Sequence, residues 1–140
     1  MKKYIGAKLV EAEPKKHDGT GEEGYLVRYG DGAQSWSPKD EFEHAYLPLE
    51  INGDLRTKAP SIGPEMVRDF IAEKDVITMG GKTTVVRAVL RNGYVIVESS
   101  SCVSPENYDE ALGERICMKR IEGRIWGMLG FLLQTAVRGV

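Results

Sequence analysis

The longest regular pattern in the chain runs from Ser104 to Val140. Leu112, Ile116 and Ile121 recur at helical spacing opposite Glu110, Glu114, Arg115, Lys119 and Arg120, which predicts an amphipathic helix laid on a core. Ser104, Pro105 and Glu106 supply a cap, a proline at the first helical position and a first-turn acid, so the helix is expected to start there. Past Arg120 the pattern changes, and Ile125, Trp126, Met128, Leu129, Phe131, Leu132 and Val137 go nearly round the circumference. A helix apolar on all sides has to be buried on all sides. A chain of 140 residues can scarcely enclose one alone, so self-association is expected through this segment. Gly113, Gly123, Gly127 and Gly130 each cost roughly 1 kcal/mol inside a helix relative to alanine, and close helix-to-helix approach would account for them.

Upstream, β-rich runs take over. Thr83 to Leu90 and Tyr94 to Ser100 flank Asn92-Gly93, the preferred pair for a two-residue type I′ hairpin turn. That turn would pair Leu90 with Val95, Ala88 with Val97 and Arg87 with Glu98. Val86, Ala88, Leu90, Val95 and Val97 would then face the helices, leaving Arg87, Arg91, Tyr94, Val89, Ile96 and Glu98 on the other side. Asp75 to Gly81 reads as a loop. A helix is expected from Pro64, with Met66, Val67, Phe70 and Ile71 at core spacing.

The front of the chain is a smaller unit. Tyr4 to Ala12 and Gly24 to Tyr29 have the composition of strands, Gln34 to Trp36 pairs back after Gly30-Asp31-Gly32, and a polar loop carries Lys15, Lys16 and His17. Ser37-Pro38-Lys39-Asp40 predicts a capped helix from Pro38 to about Tyr46. The expected fold class is therefore α+β: a small N-terminal β-module (1–48), a linker (49–62), and a β-hairpin packed on helices (63–140), with one long C-terminal helix in an oligomer interface.

Composition narrows the function classes. The content is 41% hydrophobic and 29% charged, with a net charge of −2, so no global field favours nucleic acid or an anionic membrane. No signal peptide and no membrane span is expected. Cys102 and Cys117 are too few for a metal framework and read as reduced structural thiols. Gly80-Gly81-Lys82-Thr83 resembles the end of a phosphate-binding loop, but the leading glycine would fall at Val76 and a strand follows, so the motif fails. No nucleophile-base pairing or dinucleotide fingerprint appears; neither catalysis nor a cofactor is expected.

Two stretches carry a resemblance. Arg91-Asn92-Gly93-Tyr94, Glu98-Ser99, Cys102 through Glu110, and the helix through Trp126, Gly130, Leu132 and Leu133 resemble a family of small tailed-phage proteins known by gene-product numbers. Lys2 to Gly6, Gly24 to Val27 and Ser35 to Lys39 look like a module that often precedes that family in phage genomes. Within the group the chain is similar to the Thoeris anti-defence one family. That resemblance implies an oligomeric sponge, dimer or hexamer, acting in the cytoplasm of the infected host. It would sequester glycocyclic ADP-ribose made by TIR-domain enzymes, or also cyclic oligonucleotides at a separate site, without cleaving them.

Such a ligand needs a slot for adenine and bidentate donors for its diphosphate. Arg120 and Arg124, one turn apart on one side of the helix, are the candidate phosphate grip. Tyr94 is the candidate stacking platform with Arg87 and Arg91 beside it, and Ser104 and Asn107 stand at the expected helix start. Against these stand plainer readings: a salt-bridged helix face, and a cross-strand pair of Arg87 with Glu98. A second nucleotide site is expected, if anywhere, around His17 and Arg28. The alternative function is a phage accessory protein that inhibits a host protein by direct binding.

Overall fold

The computed structural model describes residues 1–140 and divides into two units, Met1–Leu49 with Leu132–Val140, and Glu50–Phe131. The α+β class holds: two three-stranded antiparallel sheets and three α-helices, the last of them long.

In the first unit, strands β1 (Glu11–Pro14), β2 (Gly24–Arg28) and β3 (Gln34–Pro38) form a sheet in the order β1-β2-β3. Helix α1 (Lys39–Ala45) packs on it, stacking Phe42 between Tyr25 (4.3 Å between ring centroids) and Tyr46 (4.9 Å), with Val27 fully buried. On the other face Trp36 pairs with Leu26 and lies across Gly24; a β-carbon on Gly24 would stand 2.4 Å from the indole. Two expectations change. Residues 4–10 join no ladder, because β2 is only five residues long and its pairing with β1 begins at Glu11. Strand β3 runs through Pro38, so α1 starts one residue late, and the Ser37 hydroxyl donates to the Pro38 carbonyl instead of capping the helix.

In the second unit, helix α2 (Pro64–Asp69) ends after six residues, and the chain turns into strand β4 (Ile71–Met79) where a loop was expected. Its charged run Glu73-Lys74-Asp75 hid the alternation, yet two of the three charges are paired: Lys74 with Glu114 and Asp75 with Arg87. Strands β5 (Thr83–Leu90) and β6 (Val95–Ser101) complete the sheet in the order β4-β5-β6.

The hairpin register differs from the expected one by a single residue. Val89 pairs with Val95, Ala88 with Ile96, Arg87 with Val97 and Val86 with Glu98. The turn is a three-residue loop, Arg91-Asn92-Gly93, in which the Gly93 N–H donates to the Leu90 carbonyl (2.9 Å) and the Leu90 N–H to the Tyr94 carbonyl (2.8 Å). Gly93 takes the left-handed conformation (φ 86°) that closes a type I turn with a bulge. A one-residue shift exchanges the faces of a strand. Ile96 is therefore buried, and Val95 and Val97 face outward.

Helix α3 (Glu110–Arg138) begins five residues later than expected. A short 3-10 turn over Pro105–Asn107 intervenes, and Asp109 is the cap, its Oδ1 accepting the Leu112 N–H at 3.2 Å. Gly113, Cys117, Ile121, Ile125 and Leu129 form the buried stripe, an i, i+4 line. Leu112 and Ile116, expected in the core, are exposed. Gly113 has an intrachain reason: a β-carbon there would fall 2.1 Å from Thr84 Oγ1 on β5. Gly123, Gly127 and Gly130 have none, since nothing lies within 4 Å of where their β-carbons would be.

Candidate ligand-binding site

The arginines of α3 are the expected site residues that come together. The i, i+4 spacing places Arg120 and Arg124 on one flank of the helix, and both reach β6. Arg120 Nη1 donates to the Ser99 carbonyl at 2.6 Å, and Arg124 Nη1 lies 3.4 Å from Glu98 Oε1. Glu98 points to the helix side of the sheet because of the register shift, which is why it meets Arg124 and not Arg87. Each guanidinium carries five N–H groups, so these contacts leave further donors on both.

The remaining candidates are spread out. Arg87 lies on the opposite sheet face, where Nη1 is 3.0 Å from Asp75 Oδ2, so its pairing with Glu98 does not occur. Tyr94 and Arg91 belong to the hairpin loop: Tyr94 is 53% exposed with its N–H donating to Asn92 Oδ1 (3.1 Å), and the Arg91 N–H donates to the Phe70 carbonyl (2.9 Å). Ser104 and Asn107 lie beyond the other end of β6. Seven residues at about 3.4 Å each separate that end from the hairpin loop, roughly 20 Å. The Ser104 side chain makes no cap, its carbonyl accepts the Asn107 N–H (3.0 Å), and the Asn107 side chain is exposed.

Cys117 sits beneath the arginines in the buried stripe, its Sγ 3.8 Å from the Thr84 carbonyl. Burial pushes its thiol pKa up, the Arg120 charge pulls it down, and Glu98 raises it; burial dominates. It is a packed thiol and not a nucleophile.

In the first unit, His17 lines a cleft of about 290 Å³ together with Lys15, Lys16, Leu26, Gln34 and Trp36. His17 Nδ1 accepts the N–H groups of Gly19 (3.1 Å) and Thr20 (3.2 Å), which places the ring proton on Nε2. Its ring meets Trp36 edge-on at 4.7 Å, and Trp36 Nε1 donates to the Lys15 carbonyl at 2.7 Å. Trp36 thus holds the loop in place. Arg28 is not part of this cleft; it is paired with Glu11 across the β1-β2 ladder. Glu98 as the partner of Arg124 does not follow from the sequence pattern, because the loop length that sets the register of β6 is not fixed by Asn92-Gly93 alone.

The hairpin that leads into the long helix places the chain among phage proteins. The model of the Phage protein (N4 Gp49/phage Sf6 gene 66) family matches residues 62–137, and the chain belongs to that family. The match spans Arg87, Arg91, Tyr94, Ser104, Asn107, Arg120 and Arg124; His17 and Arg28 lie outside it. No curated protein and no solved structure matches the chain. No helix is long and apolar enough to cross a membrane.

Proposed function

We propose that this phage protein captures a cyclic nucleotide messenger of bacterial immunity and holds it uncleaved, so acting as an anti-defence sponge against Thoeris-type signalling. The supporting observation is the pair Arg120 and Arg124, side by side along β6 with donors to spare, which suits a diphosphate. Residues 91–110 and the α3 segment resemble the phage family as a whole, and the likeness of the chain, within that group, to the Thoeris anti-defence one family supplies the ligand class, glycocyclic ADP-ribose, with cyclic oligonucleotides as a further class. Tyr94 and Asn107 stand at opposite ends of β6 within one chain. They complete the arginine site only if a second copy brings one of them there, which ties capture to a homo-oligomer. The outward ridge of α3, with Gly123 and Gly127 unencumbered and Phe131 76% exposed, is the proposed helix contact. The alternative, direct inhibition of a host protein, draws on the same exposed apolar side chains.

Incubation of the purified protein with TIR-derived glycocyclic ADP-ribose, filtration, and heat release of the retained fraction tests the reading. Intact messenger is expected in the retained fraction for the wild type. It is expected to be lost in the Arg120→Ala plus Arg124→Ala variant, with its fold checked by circular dichroism. Messenger that passes the filter freely overturns the sponge and favours the direct inhibitor.

A further inference from the structure

Helix α3 covers one face of the β4-β5-β6 sheet, and the other face is open. Along it Ile77 is 52% exposed, Met79 55%, Val95 42% and Val97 52%, with Val85 and Val89 half-buried among them. An antiparallel sheet with one wet face normally turns polar side chains to that side, and contiguous apolar area of a few hundred Å² is uncommon on a solitary soluble chain. At the centre of this face is one ion pair, Asp75 with Arg87, sharing a row of the sheet with Val97.

We propose that this face is a two-fold contact between copies of this chain, separate from the ridge of α3. The face is a sheet surface and not a cleft, which suits another sheet packed about 10 Å away. Its acids, Glu73 and Asp75, outnumber the single Arg87, which disfavours nucleic acid and an anionic membrane. The centre of the pattern is self-complementary. A two-fold axis along the strands between β4 and β5 sets Asp75 over the partner's Arg87 and Ile77 over the partner's Val85, while Glu73, at the end of the face, falls over the partner's Val89. It leaves Val95 and Val97 over the outer edge of the partner's β4. Two overlapping strands about 4.8 Å apart and about eight residues long give a footprint of roughly 10 by 27 Å on each copy. That is below the ~1,200 Å² in total that a stable dimer buries, so the contact is a weak one that dissociates on dilution. Two different self-contacts on one chain are also what a closed assembly larger than a dimer requires.

Sedimentation of the full chain over a range of concentrations tests this without any nucleotide: association that survives every sheet-face variant sinks this contact and leaves the capture reading standing, whereas a monomer throughout removes the homo-oligomer on which both rest. The wild type is expected to lose half its assembly mass on dilution. Arg87→Glu and Asp75→Lys are each expected to abolish that step, because each sets like charges against one another across the axis. An equimolar mixture of the two is expected to restore it, since the introduced carboxylate of one chain meets the introduced ammonium of the other, and the native Asp75 of the first meets the native Arg87 of the second. The intrachain pair stays broken in both variants, so repair of the individual chains cannot produce the rescue. If either variant fails to fold by circular dichroism, Ile77→Thr and Val85→Thr replace them, and each is expected to weaken association at least tenfold. A wild type that sediments as a monomer throughout, variants that associate like the wild type, or a mixture without rescue overturns the proposal. So does association lost in Phe131→Ala and kept in every sheet-face variant, which assigns the contact to α3.

Discussion

Gly113 and Gly127 belong to the same helix and carry opposite expectations. At Gly113 a β-carbon would meet Thr84 Oγ1 at 2.1 Å and Thr84 Cβ at 2.7 Å, and the second atom cannot swing away. Gly113→Ala is expected to cost about 1–3 kcal/mol, as overpacking does. Gly127 has open space within its own chain, so in the dissociated chain Gly127→Ala is expected to add about 0.5–1 kcal/mol through helix propensity. Urea unfolding of the two variants checks the contrast; equal shifts would mean that α3 does not press on β5 at Gly113. Cys117 gives a pH signature. Its thiol pKa is raised in the folded chain, so unfolding becomes easier once the unfolded thiol ionises, above about pH 8.5. The thiol's contribution is expected to be level below that pH and to fall above it, so the loss of stability above it is expected to be shallower in Cys117→Ala than in the wild type, measured by urea titration at successive pH values.

At the level of elements, start signals proved less legible than the elements themselves. Ser104-Pro105-Glu106 carries every residue type that opens a helix, but it nucleates only a 3-10 turn. The helix begins after Asp109, which both caps it and sits where Tyr108 can reach back to the sheet: the Tyr108 hydroxyl lies 2.6 Å from Thr78 Oγ1 and 2.9 Å from Thr84 Oγ1. Tertiary bonds of this kind are invisible to local pattern. Asp109→Ala is expected to destabilise the chain by about 1 kcal/mol and Ser104→Ala by much less, in the same unfolding assay. The two hairpins share one device. In Gly30-Asp31-Gly32 and in Arg91-Asn92-Gly93 the middle side chain accepts an N–H two residues on, from Ala33 and from Tyr94, and the last glycine takes positive φ. The Asn-Gly pair announces a turn in either loop length; which length forms depends on packing against α3, where Ile96 fits as a core residue.

On the scale of the whole molecule, the α+β class, the long helix and the β5-β6 hairpin were legible because periodicity is local. Strand β4 was not, because its charges find their partners only once β5 and α3 are in place. The same holds for the candidate site: Arg120 and Arg124 followed from helical spacing, whereas the cross-strand pair of Arg87 with Glu98 followed from a register that the chain does not adopt. That register has an evolutionary corollary. With three residues in the 91–93 loop, Ile96 and Glu98 face the helix; had the same sequence closed on two or four, Val95 and Val97 would replace them and the salt bridge of Arg124 would lose its acid. Insertions and deletions inside this loop are absorbed by the turn and leave Val89 opposite Val95. A single residue added or lost between Tyr94 and Ser101 turns every later side chain of β6 to the other face, so the strand is far less tolerant of length change than the loop beside it.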